Sequence, residues 1–195
     1  GIMERQERTK FRMAESIKGL MAPMPLDKIT VKDIVAECGL TRQTFYRNFK
    51  DKYDLVNWYF EKLVQQSFEE MGVSLTLREG LTKKFEFIRE ERVFFTCAFG
   101  SNDYNSLMKY DYDYILNFYK NILQRKQGRS LEPDVDFLLQ MYCHGSIRMT
   151  VEWVRTGMKL EPEELAGLLI EALPEKLNKL LSFLAEDGNG QPVTV

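Results

Sequence analysis

Residues 30–52 read TVKDIVAECGLTRQTFYRNFKDK and contain two short helical patterns on either side of a single glycine. Thr30 and Asp33 form a capping-box pattern, in which each side chain can bind the other residue's backbone N–H. Gly39 is the residue type that most often ends a helix in the left-handed conformation. Thr41 can then cap a second helix at once. Two short helices joined by so tight a turn predict a helix-turn-helix.

The second of these helices would present a surface that suits the major groove of DNA. At 100° per residue around the helix, Phe45 falls on the side that packs against the rest of the protein. Gln43, Tyr46 and Arg47 fall on the opposite side, and no acidic residue occurs between positions 38 and 50. Arginine and glutamine can bind base edges with two hydrogen bonds, and hydroxyl groups can bind phosphates.

This part of the chain resembles the DNA-binding domain of TetR-family transcriptional regulators. The resemblance covers roughly residues 8–60 and is carried by Ile-Thr-Val-x-Asp-Ile from residue 29, Gly-Leu-Thr from residue 39, Arg-x-Thr-Phe-Tyr from residue 42 and Phe-x-x-Lys-x-x-Leu from residue 49. One departure is Asn48, where the family often has a histidine. The resemblance implies an all-α homodimer that binds a pseudo-palindromic operator and regulates transcription. A cytoplasmic location is expected separately, from the odd number of widely spaced cysteines. Repression is the default expectation, and activation stays open.

The resemblance assigns DNA contacts to nine residues. They are Arg42, Gln43 and Thr44 toward the bases, Thr30, Tyr46, Asn48 and Lys52 toward the phosphates, and Thr41 and Arg47 on the same surface. For each charged residue, the alternative to a DNA contact is a solvated surface side chain. The two interpretations are most nearly balanced for Arg47.

Helical periodicity continues along the rest of the chain, and no alternating strand patterns are available to pair. We expect a three-helix head at residues 1–52, a larger helical domain for effector binding and dimerisation at 53–185, and a flexible tail at 186–195. About nine helices are implied by the resemblance. After the head, a fourth helix is expected from a cap at Asp51, with Leu55, Tyr59 and Leu63 on its apolar face. Further helices are expected at residues 77–99, 104–123, 133–154 and 162–184, the last kinked at Pro174.

Charge is unevenly distributed between the head and the remainder. The 195 residues hold 27 Lys and Arg against 29 Asp and Glu, a formal net charge of −2. Residues 1–55 hold 11 against 8, a net of +3, and the other 140 hold 16 against 21, a net of −5. A basic head on an acidic body favours a nucleic-acid partner for the head, although chance would often give a difference of this size.

Composition excludes several classes of protein. A hydrophobic fraction of 44% and a charged fraction of 29% are ordinary for a globular chain. No apolar run approaches the ~18 residues of a membrane helix, and no secretory signal is visible. The three cysteines are far apart, which predicts neither a disulfide framework nor a metal site. Gly-Ile before Met3 suggests an expression scar.

His144 is the single histidine, and the chain has no GxSxG, HExxH or GxxxxGK[ST] motif. We therefore expect no metal, no cofactor and no enzymatic activity. Two alternatives stay open: an all-α enzyme that uses His144, and an interaction module whose head binds no DNA.

The C-terminal half resembles, more weakly, regulators grouped around activators of dihydroxyacetone kinase operons. The resemblance lies in Gly145, Trp153 and Gly157, followed by Pro-Glu-Glu-Leu from residue 162. In the family, the last two long helices form a four-helix dimer interface. This implies a dimer seam at Leu165, Leu169, Leu173, Leu177 and Leu180, and the alternative is that these leucines belong to the core of one chain.

The resemblance also implies an effector pocket in the C-terminal domain, and aromatic residues are dense between positions 94 and 119. The candidates are Phe95, Phe99, Tyr114, Phe118, Tyr142 and His144. The same composition suits a plain core, in which His144 would be a buried, hydrogen-bonded histidine. The effector is expected to be a small molecule or another protein, such as a kinase-like co-activator.

Overall fold

The computed structural model describes residues 1–185, and over that range the chain is helical with no extended strand. The α-helices are α1 (Ile2–Met21), α2 (Val31–Cys38), α3 (Arg42–Asn48), α4 (Lys52–Glu70), α5 (Leu77–Glu90), α6 (Arg92–Ala98), α7 (Leu107–Gln127), α8 (Pro133–Arg155), α9 (Pro162–Glu171) and α10 (Glu175–Leu180). Short 3₁₀ turns lie at Leu26–Lys28 and Ser182–Ala185. The expected all-α class is confirmed. The predicted tail at 186–195 lies outside the described residues.

Helix boundaries depart from the expectation in two places. The helix expected over residues 77–99 is interrupted at Glu91, whose backbone is not helical, so α5 and α6 are separate. The kink expected at Pro174 is a complete break, because proline lacks the N–H that would continue the helix and its ring disfavours a helical residue before it. Pro174 instead forms the N-cap of α10. This break raises the number of α-helices within residues 1–185 to ten.

The chain divides into two compact units. The first unit consists of Gly1–Lys62 and Glu91–Tyr110, and the second consists of Leu63–Glu90 and the residues from Asp111 onward. Helix α4 passes from the first unit into the second, so the expected division at residue 52 falls at the start of a continuous helix. The first unit therefore contains the helix-turn-helix head together with α6 and the loop that follows it.

Aromatic side chains hold the head together. Phe45 is fully buried, and its ring lies 5.8 Å from that of Phe49. Phe49 contacts Trp58 at 5.7 Å between ring centroids, and Trp58 contacts Phe11 at 4.8 Å. These rings join α3 to α1 and α4. Because aromatic residues bury large apolar areas, this cluster fixes the position of α3.

Polar bonds fasten the segment Glu91–Tyr110 to the head within the first unit. Lys18 Nζ lies 3.0 Å from Glu91 Oε1, to which Tyr59 also donates at 2.7 Å. Ser101 donates to Asp27 Oδ1 at 2.5 Å, and this bond is the main reason that the pKa of Asp27 is lowered. Charged groups strengthen these hydrogen bonds, so the head and this segment are joined at two separate points.

A buried ion pair lies inside the second unit. Lys84 on α5 and Asp111 on α7 are 2.7 Å apart, with 2% and 0% of their side chains exposed. Asp111 Oδ2 has no hydrogen-bond partner, and burial raises the pKa of this carboxyl group. The Lys84 ammonium also lies 5.6 Å from the centre of the Phe68 ring. The charges of this pair depend on each other, because neither reaches water.

Candidate nucleic-acid interface

Local hydrogen bonds build the helix-turn-helix as the sequence predicts. Thr30 Oγ1 accepts from the Asp33 N–H at 3.1 Å, and Asp33 Oδ2 accepts from the Thr30 N–H at 3.0 Å. Helix α2 ends at Gly39, whose φ of 70° is in the left-handed region that favours glycine. Thr41 Oγ1 then accepts from the Thr44 N–H at 3.1 Å and caps α3. The predicted capping box, turn and second cap are confirmed.

Helix α3 turns its polar side chains away from the protein. Arg42, Gln43 and Arg47 are exposed, and 55% of Tyr46 is exposed. Phe45 alone is buried on this helix. The predicted orientation of α3 is therefore confirmed, and the surface carries long hydrogen-bond donors without an acidic side chain.

Two of the predicted phosphate-binding side chains also make bonds within the head. Asn48 Nδ2 donates to the Thr44 carbonyl at 2.8 Å, and Lys52 Nζ donates to the Ile29 carbonyl at 2.6 Å. Burial lowers the pKa of Lys52, and the carboxylate of Asp27 opposes this effect. Each side chain keeps further N–H groups that could bind a phosphate. Lys52 additionally fixes the residue before the cap of α2.

The sequence reasoning missed a row of arginines on α1. Arg12 Nη2 donates to the carbonyl of Cys38, the last residue of α2, at 2.8 Å. Arg5, Arg8 and Arg12 line one open groove of about 800 Å³ that also reaches Glu37. Their spacing of three and four residues, which places them on one helix face, is the sequence signal that marks them.

The candidate effector residues fall into separate groups. Phe95 and Phe99 belong to the first unit, where both are buried and their rings lie 5.8 Å apart. Tyr114 and Phe118 belong to the second unit, where they contact the Phe68 ring at 5.3 and 5.0 Å. All four rings thus have packing partners within their own units, as a plain core requires.

The two remaining candidates lie on α8. Tyr142 donates its hydroxyl hydrogen to the Leu169 carbonyl of α9. His144 is exposed, and its ring stacks on Tyr112 at 4.0 Å between centroids and 17° between planes. The interpretation of His144 as a buried histidine is therefore wrong, because α8 turns this side chain outward.

The leucines assigned to a dimer seam pack mostly within the chain. Leu165, Leu169, Leu173 and Leu177 are buried, and Leu180 is half-buried. This burial is what the intramolecular alternative requires. Because these side chains already cover the core of the second unit, a partner in this conformation would meet other residues.

A different set of apolar side chains is exposed on α8 and α9. On α8, Phe137 is 66% exposed, Met141 is 67% exposed and Met149 is more than half exposed. Leu168 of α9 is half exposed. Met141 and Met149 line an apolar groove of about 400 Å³ between α8 and α9. An apolar groove flanked by exposed apolar side chains is typical of a protein-interaction site.

Within residues 1–185, no group of three or more His, Cys, Asp and Glu side chains is arranged to hold a metal ion. In that part of the chain, none of the helices combines the length and the apolar character needed to cross a membrane.

Two family models match the chain. One, described as bacterial regulatory proteins of the tetR family, matches residues 19–57. The other, described as a transcriptional regulator C-terminal region, matches residues 76–175, which is more than half of the 195 residues.

Similar proteins include activators and a repressor. The HTH-type dhaKLM operon transcriptional activator DhaS of Lactococcus lactis subsp. lactis (strain IL1403) is 25% identical over 91 residues, 47% of this chain and 49% of that protein. The match thus spans about half the length of this curated relative. A solved structure of the dihydroxyacetone kinase operon activator DhaS has a TM-score of 0.55 at 21% identity, over 90% of this chain and 96% of that one.

The TetR family repressor AlkX from Dietzia sp. strain DQ12-45-1b, implicated in n-alkane biodegradation, is a more distant structural neighbour. It has a TM-score of 0.50 at 13% identity, over 89% of this chain and 95% of that chain. At such identities the two structural likenesses show a shared fold alone.

Proposed function

This chain belongs to the TetR family of bacterial transcriptional regulators, and from that premise we propose that it binds a pseudo-palindromic DNA operator as a homodimer. The observation that carries the proposal is the exposed surface of α3. Arg42, Gln43 and Tyr46 are exposed on this helix, and Phe45 on the opposite side is buried and anchors it to the rest of the head. Because the family consists of regulators and not enzymes, catalysis at His144 is set aside.

The proposed contacts divide into two classes. Arg42, Gln43 and Thr44 lie at the start of α3, which in a helix-turn-helix is the part that reaches base edges in the major groove. Thr30, Tyr46, Asn48 and Lys52 bind phosphates. These phosphate contacts set the register of the protein on the DNA but carry no sequence information. Sequence preference therefore depends mainly on the first class.

The apolar face of α8 and α9 supports the homodimer. We place the seam on Phe137, Met141, Met149 and Leu168, which are exposed, instead of on the buried leucines. Two copies joined there would present two α3 helices, and a two-fold operator requires them about 34 Å apart, one turn of DNA.

Modulation by an effector is proposed for the second unit, with the nature of the effector left at a small molecule or a protein. A protein co-activator is kept as the second candidate. In either case the effector changes operator affinity by binding the two conformations of the regulator differently.

Substitutions of Arg42 and of Lys52 distinguish base contacts from phosphate contacts. Arg42→Ala is expected to weaken binding to the preferred operator by about 1–3 kcal/mol, because it removes a base contact. Binding to random DNA should change little. Lys52→Gln, which keeps a donor for the Ile29 carbonyl, is expected to weaken binding to all DNA sequences alike. It should reduce the salt slope by about 2, because the dimer loses one phosphate contact in each protomer.

Fluorescence anisotropy with DNA that flanks the protein's own reading frame, titrated at several salt concentrations, measures both quantities. Lys179→Ala, on an exposed lysine of α10, is the matched control and should change neither. Identical behaviour of the Arg42 and Lys52 variants would show that the division of roles is wrong.

A further inference from the structure

Three arginines form a stripe along α1, beside the helix-turn-helix. We propose that this stripe, Arg5, Arg8 and Arg12, is a second phosphate-binding surface that extends the DNA contact beyond α3 to the backbone flanking each half-site. The inference rests on the proposed operator binding, and it adds a contact that neither the α3 surface nor the capping residues supply.

Helix geometry places the three side chains in line. At 100° per residue, Arg8 and Arg12 lie about 60° and about 20° from Arg5 around the helix axis. Arg5 and Arg12 are separated by roughly 10 Å along the axis at 1.5 Å per residue. All three line the same groove. The stripe is therefore a continuous strip of positive charge on one face of α1.

Its position next to the turn is fixed by a hydrogen bond. Arg12 Nη2 donates to the carbonyl of Cys38, and Gly39 and the cap of α3 follow directly in the chain. In a helix-turn-helix the second helix enters the major groove and the first crosses the backbone. Arg12 contacts the end of that first helix, which is the helix that crosses the DNA backbone. Arg5 and Arg8 continue the stripe from there along α1, toward its N-terminus.

Arg5 and Arg8 also differ from the neighbouring lysines, each of which is engaged by an aromatic ring or a carboxylate. Lys10 stacks over the Phe49 ring at 5.4 Å, Lys18 binds Glu91, and Lys62 binds Glu7. Among the described residues, Arg5 and Arg8 are exposed and make no ion pair. They are thus available to an external anion.

Two acidic residues line the groove, both near the Arg12 end. Glu15 lies 3.2 Å from Lys18, which also pairs with Glu91, and Glu37 lies on the last turn of α2. The Arg5 end of the stripe lies away from both carboxylates. A row of guanidinium groups that can each grip a phosphate with two hydrogen bonds suits the repeating phosphates of a DNA strand.

Salt titration of the double variant Arg5→Ala/Arg8→Ala tests the stripe. On the same flanking DNA, we expect the slope of log K against log salt to fall by about 4, because the dimer loses two phosphate contacts in each protomer and each contact contributes about 0.9. Affinity for operator and for random DNA should fall by the same factor, since phosphates carry no sequence information. Arg5→Lys/Arg8→Lys should keep most of the slope.

The matched control is Arg125→Ala/Arg129→Ala, which removes the same charge from exposed sites of the second unit and should leave the slope unchanged. An unchanged slope in Arg5→Ala/Arg8→Ala, with wild-type binding intact, would overturn the inference alone. An equal fall in the control would also overturn it, as an effect of net charge. A wild type without preference for flanking DNA would instead refute the proposed function.

Discussion

Asp111→Ala is expected to lower the free energy of unfolding by about 3–5 kcal/mol, because it leaves the buried Lys84 ammonium without its carboxylate. The two groups are 2.7 Å apart and almost wholly excluded from solvent. Surface ion pairs, by contrast, contribute about 0–1 kcal/mol. Denaturation in urea, followed by circular dichroism, measures the loss.

The double variant Lys84→Met/Asp111→Leu is the decisive companion to this experiment. Apolar side chains of similar size in place of a buried ion pair are often neutral or stabilising, and here they also remove the unbonded Asp111 Oδ2. We expect the double variant to recover most of the stability. If Asp111→Ala does not fold at all, recovery in the double variant gives the same answer. A loss below about 1 kcal/mol in Asp111→Ala would contradict the assignment of a buried pair.

Met141→Lys is expected to convert the proposed dimer into a monomer and to reduce operator affinity by at least about 100-fold. The reason is that two joined heads gain about 10²–10⁴ in avidity over one. Met141 is mostly exposed in the single chain and lines the apolar groove between α8 and α9. An unpaired ammonium group in the centre of an apolar seam would be desolvated without compensation.

Sedimentation equilibrium and DNA titration measure the two effects on the same samples. Met108→Lys is the control, because Met108 is also exposed but lies in the first unit, outside the groove. It should leave both the mass and the operator affinity unchanged. A Met141→Lys protein that remains dimeric with wild-type affinity would place the seam elsewhere.

The head was predictable because its determinants are local. Thr30 meets Asp33 three residues away, Gly39 ends the helix by its own conformation, and Thr41 caps the next one. Such bonds depend on the neighbouring residues alone, so the sequence pattern carries them directly. The orientation of α3 followed in the same way from the apolar Phe45.

The C-terminal assignments were less predictable, because exposure there depends on distant packing. Leu165 and Leu168 both fit an apolar helical stripe, yet the first is buried and the second half exposed. Periodicity marks an apolar face but does not say whether another part of the chain or a second chain covers it. The bond from Arg12 to Cys38 joins residues 26 positions apart and has no local signature either.

The central claim is that α3 reads a two-fold operator, and a protection footprint on the DNA flanking the reading frame tests it most directly. We predict two protected half-sites whose centres lie about 10 base pairs, or one helical turn, apart. The footprint should be lost in the double variant Arg42→Ala/Gln43→Ala while the protein stays folded. Protection that is no stronger than on random DNA at moderate salt, or a footprint that survives this substitution, would contradict the claim.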